Sequence, residues 1–425
     1  MAKHGDSRRI ATSAHKARIR SLRVAKALSG VVIVFVAFVI GFAVRGDQAL
    51  LERLGFSSLV VDIDRNPGAT TSGDTYDSIG ARVAEVEGIL QTDSLDSYDL
   101  DTVTKNVLDA FADGTQDNYL RYYDASSYAK LLQDSSKSYA GIGVLFSEYN
   151  GRAYVVDVFD GSAAQLAGVQ QGDFVEAIDG DRDHDWSQTE VVAALAREEG
   201  DSVVVTWRRP ATLEAEGGEE FTKTLVCSEY RVKNVESELS GSVGFIKLKQ
   251  LTQNSATLVK QAVADLAAQG ATSYVLDIRD NPGGYLTQGV DVASLFVKSG
   301  TIVQIETRES KTVKSAAGSA VTDKPLIVLV NEHTAAAAEV LAAALKDSQR
   351  ATLVGMETLG KGSVQVVRDL SFGGSLRYTA AYYQSPQGHG IDGVGVTPDV
   401  TVASSGEGDN QLSLAIDTAQ SSGQS

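Results

Sequence analysis

Residues 325–330, Pro-Leu-Ile-Val-Leu-Val, form an unbroken apolar run that feeds an Ala-rich stretch through a turn of a few residues. That succession constrains the fold more than anything else on the chain. The run has the length and bulk of a buried strand, Pro325 to Val330, and the Ala-rich stretch predicts a helix over about Ala335 to Leu345. Thr334 suits the helix cap. The same alternation recurs upstream, with a strand over Val243–Leu248, an amphipathic helix over Ala256–Gln269, and an apolar strand over Tyr274–Ile278 that ends in Arg279-Asp280-Asn281-Pro282-Gly283-Gly284. Strands alternating with helices of this length predict an α/β core, a sheet covered by helices.

About 25 residues past the helix start stands a lysine in a glycine frame, Gly360-Lys361-Gly362, with Gln365 four residues further on. A lysine becomes a general base when desolvation lowers its affinity for the proton. A turn into a helix N-terminus offers free N–H groups to an oxyanion.

Length and charge divide the 425 residues further. The net charge of −17 is unevenly spread: residues 1–26 hold eight Lys/Arg against Asp6, a net +7, which leaves −24 on the rest. A body that acidic argues against nucleic-acid binding. Behind the basic head, Ala27 to Val44 is an 18-residue run without charge, about 27 Å as a helix and close to a bilayer core. It predicts a retained single-pass anchor with a cytoplasmic N-terminus and an extracytoplasmic bulk. A cleaved signal peptide is the competing reading. Residues 45–75 read as a linker. Residues 76–137 read as a helical region, with Ile79, Val83, Val86 and Leu90, then Val103, Val107, Leu108 and Phe111, at helical spacing. Cys227 is the only cysteine, so no intrachain disulfide forms. No metal-ligand spacing is present, and no cofactor is implied.

Residues 138–209 resemble a PDZ domain. Gly141-Ile142-Gly143-Val144 stands where such a domain has its carboxylate-binding loop, and Ala-Gly-Val-Gln-Gln-Gly-Asp-Phe-Val-Glu-Ala-Ile-Asp-Gly, residues 167–180, matches its signature. Loop N–H groups of this kind hold a terminal carboxylate, and the next strand accepts a peptide by β-augmentation. A strand is expected over Tyr154–Val158 and a helix over Gln188–Arg197. Arg197 resembles the arginine that ends this helix and senses a bound tail; a solvated surface arginine is the plainer reading.

Four motifs in order, the Gly-Ile-Gly-Val loop, the Asn-Pro-Gly-Gly loop, the nucleophile helix and the Gly-Lys-Gly-Ser-Val-Gln segment, resemble the carboxyl-terminal processing peptidases, serine peptidases with a Ser-Lys dyad. The resemblance covers roughly residues 76–402. It implies a multi-domain α/β protein with an N-terminal transmembrane helix, a helical segment, a PDZ-like β domain, and a peptidase core over 210–402 of the crotonase/Clp sheet type. Beyond it, residues 403–425 read from composition as a polar, Gly/Ser-rich tail around one short helical patch, Leu412 to Ala419. Ala336 takes the family's serine position, Lys361 the general base and Gln365 its orienter. Ala337 and Gly283 or Gly284 supply the oxyanion amides, and Gly141, Ile142, Gly143, Val144 and Arg197 bind the peptide. The implied partner is a protein or peptide with a free C-terminus. The N-terminal helices resemble the family's dimerisation elements, and packing within one chain explains the same pattern. Two readings of Ala336 stay open: a family peptidase whose serine has been replaced, and a natural non-catalytic relative that binds tails. An unrelated acyl-binding fold of the crotonase kind shares a glycine-built oxyanion loop but leaves residues 138–209 unexplained.

Overall fold

The computed structural model describes residues 78–423 apart from 136–140, 231–232, 319 and 406–407. The basic head and the apolar run 27–44 lie outside the described residues. No helix among the described residues is long and apolar enough to cross a membrane. The chain divides into two units, residues 1–98 and 99–425. In the first, α1 (Ile79–Asp93) starts at Ser78, whose side chain accepts the Ala81 N–H.

The second unit begins with α2 (Leu100–Asp113), capped by Asp99, then β1 (Arg121–Tyr123) and α3 (Ala125–Ser135). An antiparallel sheet follows from β2 (Val144–Tyr149), β3 (Arg152–Val158), β4 (Phe174–Ile178), β5 (Ser202–Arg209) and β6 (Glu219–Val226), in that spatial order, so β2 is an edge strand. The short α4 (Ala163–Leu166) and α5 (Gln188–Leu195) complete this module. Its core gathers Ile142, Phe146, Val191, Leu195 and Trp207, with the Phe146 and Trp207 rings stacked. The Ser187–Glu190 capping box starts α5, satisfying two orphan N–H groups at once. That helix ends at Leu195, two residues short of the expected Arg197.

The α/β core opens with β7 (Val235–Ser240), β8 (Val243–Leu248), α6 (Ser255–Ala268), β9 (Ser273–Asp277) and α7 (Leu286–Ser294). A hairpin, β10 (Thr301–Thr307) and β11 (Lys311–Ser315), leads to β12 (Leu326–Val330), α8 (Ala337–Asp347) and β13 (Thr352–Gly355). The chain closes with β14 (Ser363–Asp369), β15 (Ser375–Gln384), β16 (Val400–Thr401) and α9 (Asn410–Gly423). The main sheet runs β16-β13-β12-β9-β8-β7, parallel except for β7. Its central strand is apolar throughout because both faces are covered. Leu326, Val328 and Val330 join the cluster that contains α8 residues, whereas Ile327 and Leu329 join Ala415 and Ala419 of α9. The helical patch expected at 412–419 within a polar tail is therefore a longer helix, over 410–423, that belongs to the core. Gln411, Ala415 and Ala419 recur every four residues, and all three are buried. A second antiparallel sheet, β1-β15-β10-β11 with β14 on β15, has no counterpart in the sequence reading. Its strands are half-exposed and lack clean alternation.

Candidate active site

Between β12 and α8 the chain turns on Asn331 and Thr334. Asn331 Oδ1 accepts the Asp280 N–H at 2.9 Å, and the Thr334 hydroxyl donates to the Ile278 carbonyl at 2.9 Å. Thr334 thus ties the turn to the end of β9 and does not cap the helix. The helix starts two residues later than expected, at Ala337. Ala336 takes φ 53° and ψ −119°, outside the comfortable regions for a residue with a Cβ. Such a position costs about 1–3 kcal/mol and persists where its surroundings over-determine it.

Those surroundings are visible. The Ala336 N–H donates to Glu339 Oε2 at 2.8 Å. On the other side Gly283, at φ 89°, comes so close that a Cβ there would meet the Ala335 carbonyl at 2.8 Å and Ala337 N at 2.9 Å. Only glycine fits both the angle and the gap. The Gly283 N–H is itself spent on Asn281 Oδ1 at 2.9 Å. Among the described residues the Gly284 and Ala337 N–H groups donate to nothing, so these two, of the three amides expected, are the ones left for an oxyanion.

Glu339 binds the turn to the lysine segment. Its Oε2 accepts the Lys361 N–H at 2.8 Å as well as that of Ala336. Its Oε1 accepts the Gly360 N–H at 2.7 Å and the Thr358 hydroxyl. One fully buried carboxylate therefore holds the backbones of residues 336 and 361 together. Burial pushes its carboxyl up to about 7, against the pull of those four donors.

The lysine side chain has a partner that the sequence does not announce. Lys361 Nζ donates to Glu148 Oε2 at 3.1 Å and lies 5.6 Å from the centre of the Tyr119 ring. Arg377 reaches the same carboxylate with a fork, Nη1 to Oε1 at 3.0 Å and Nη2 to Oε2 at 2.8 Å. Burial alone would raise the Glu148 carboxyl, but Lys361 and Arg377 together hold it down at about 2. Gln365, expected to orient the lysine, instead donates from Nε2 to Ser363 Oγ at 3.0 Å. Lys361 and Glu148 line a cleft of about 780 Å³, with Tyr119, His333, Gly360 and Asp392 also on its wall. His333 packs on Tyr154, and burial lowers its affinity for a proton.

In the antiparallel module, Gly141–Val144 is buried, and Gly141 pairs with Ser228. The carbonyls of Ile142 and Gly143 accept from Ala164 and Phe159, while the N–H groups of Ile142 and Gly143 donate to nothing among the described residues. Arg197 spends its guanidinium on the Ala194 and Ser202 carbonyls and on Asp179. No group of His, Cys, Asp and Glu among the described residues is arranged to hold a metal.

Residues 242–402 match the model of Peptidase family S41. A carboxyl-terminal-processing protease of Synechocystis sp. is 36% identical over 67% of this chain and 67% of its own length. A protein of the same description from Picosynechococcus sp. is 34% identical over 67% of this chain and 70% of its own. A carboxy-terminal-processing protease of Bartonella bacilliformis is 34% identical over 67% and 66%. The chain thus spans about two thirds of the length of these relatives. A solved structure described as the photosystem II D1 C-terminal processing protease superposes with a TM-score of 0.62 at 30% identity, covering 76% of this chain and 86% of that one. With an α/β core of the same arrangement and a strained strand-to-helix turn set against a buried lysine, the chain belongs to the S41 family of carboxyl-terminal-processing serine proteases.

Proposed function

We propose that this chain is a Ser-Lys endopeptidase scaffold that binds protein tails and, as written, does not hydrolyse them. The observation that carries the reading is the methyl group of Ala336 on a strained turn, clasped by Glu339 to the backbone of Lys361. A serine at 336 has its hydroxyl at a helix N-terminus near a buried base. Its Oγ attacks the scissile carbonyl as neutral Lys361 takes the hydroxyl proton, and the Gly284 and Ala337 N–H groups receive the oxyanion. The lysine returns the proton to the leaving amine, and water then releases the acyl group. With Ala336 there is neither an attacking oxygen nor a proton for the lysine to take.

The test is gain of activity. Ala336→Ser should cleave a denatured protein substrate, and Lys361→Met in that background should abolish cleavage. Loss of the nucleophile from such a unit costs about 10⁶-fold in turnover, so the chain as written should stay at background. Cleavage by the unmodified chain would refute the reading. A natural non-catalytic relative, acting as a tail-binding scaffold or regulator, is supported by the same methyl group. It differs in leaving Ala336→Ser inactive while peptide binding persists.

Two further parts belong to this reading. Residues 138–209 are taken as a PDZ domain, supported by the open edge of β2 and the unclaimed Ile142 and Gly143 N–H groups. A peptide with a free apolar C-terminus should bind more tightly than its C-terminal amide, and equal binding sinks that part. Residues 27–44 are taken as an anchor with the bulk outside the cytoplasm. Protease added to intact spheroplasts should then degrade residues beyond 45, and protection until lysis argues against it.

A further inference from the structure

Glu148 takes no part in the peptidase chemistry, yet it holds the lysine. It sits on β2, in the antiparallel module, and is buried with both carboxylate oxygens bonded. The two oxygens are not shared equally. Arg377 takes both of them with its fork, while Lys361 shares only Oε2, at the longer distance of 3.1 Å. A buried carboxylate stripped of its cations is costly. Here, however, Glu148 can release the lysine and still keep a complete bidentate pair. Lys361 is the exchangeable partner and Arg377 the permanent one.

The other groups around the lysine do not replace that contact. Tyr119 presents its ring to Nζ, and its phenol is held protonated by burial. Asp392 accepts the Gly362 N–H, Asp117 accepts from Thr379, and Glu339 is spent on backbone N–H groups and Thr358. His333, on the same cleft wall, packs on Tyr154, and burial lowers its affinity for a proton. An ammonium bonded to a carboxylate cannot accept a proton, so a base in this position is idle until it moves.

We infer that Glu148 is a positioning residue that keeps Lys361 charged and idle, and that the base is released when the lysine leaves Glu148 while Arg377 stays paired. This rests on the reading of Lys361 as the base, but its test does not depend on proteolysis.

The experiment is competitive labelling of Lys361 by fluorodinitrobenzene in the full chain as written, followed across pH by peptide mass spectrometry. Glu148→Gln should lower the midpoint of Lys361 labelling by a pH unit or more, about tenfold in reactivity at a fixed pH below it. In the Ala336→Ser background the acidic limb of kcat should move by the same amount. Because Glu148→Gln leaves Arg377 without its counter-charge, the paired variant Glu148→Leu with Arg377→Met removes both charges at similar volume and should shift the midpoint in the same direction. An unchanged midpoint, or labelling that rises equally at every pH, overturns the inference. A shifted midpoint in a chain whose Ala336→Ser form cuts nothing sinks the peptidase reading and leaves standing only the hold of Glu148 on Lys361.

Discussion

The turn at residue 336 and the lysine at residue 361 are the two halves of the candidate site, and they are held in different ways. The turn is built from neighbours: Asn331, Thr334 and Glu339 lie within a few residues, and the loop ending in Gly283 supplies the rest. The lysine's backbone shares that local clasp, but its side chain is met by Glu148, 213 residues away in sequence and in another module. The comparison teaches that the backbone of a site can be fixed locally while the partner of its lysine side chain comes from a distant module. A fault in the first half should damage folding, and a fault in the second should alter when the site works.

The largest effect should come from removing the shared clasp. Glu339→Ala leaves three backbone N–H groups and the Thr358 hydroxyl without their acceptor, and unsatisfied buried donors cost about 1–3 kcal/mol each. Guanidinium unfolding should show a loss of several kcal/mol. An unchanged midpoint would mean that something else holds the turn.

Gly283→Ala comes next. It combines a positive φ with contacts under 3.0 Å to the Ala335 carbonyl and Ala337 N. Stability should fall by about 2 kcal/mol, measured by thermal unfolding. In the Ala336→Ser background, turnover should fall further than stability explains if the displaced Ala337 N–H serves as the proposed oxyanion donor.

The pH dependence separates the halves. Glu148 titrates well below the ordinary carboxyl value of 4.5, at about 2. Its contribution to stability is therefore fully present above pH 4.5 and is lost as pH falls from about 4.5 towards 2. Glu148→Gln should flatten the drop in Tm across that acid range, and an identical drop in the variant would break the assignment. The smallest effect is expected at Arg197. Its bonds to Ala194, Ser202 and Asp179 are local and partly exposed, so Arg197→Ala should cost about 1 kcal/mol. If isothermal titration shows tail affinity falling tenfold, Arg197 has a role in binding that its present bonds do not reveal.

Legibility followed sequence distance. Helix and strand positions in the core were read to within two residues wherever a continuous apolar run met a glycine or a turn, as at Leu326–Val330 and Ser273–Asp277. The helix at 410–423 was legible only as a short helical patch, Leu412–Ala419, and its place in the core was not. Gln411, Ala415 and Ala419 offer too little apolar bulk to mark a buried face, and only the flat sheet surface opposite makes small residues sufficient. Thr334 was read as a cap because Thr caps well, whereas the turn needed its hydroxyl for the Ile278 carbonyl. Glu339 carried a signal, a carboxylate three residues after the turn residue, which is the spacing of half a capping box.

By itself the sequence determined the α/β alternation, the tight glycine turn, the presence of the helix after it and the bare methyl group at residue 336. Each depends on backbone propensity or on the identity of a single side chain. Only the tertiary structure decided which N–H groups remain free for an oxyanion, that Gln365 turns to Ser363, and that Lys361 is held by Glu148 and not left to residue 336. Those outcomes depend on which buried charge finds which partner. Pairing buried charges follows from desolvation and packing across the whole chain, and no local pattern of residues encodes it.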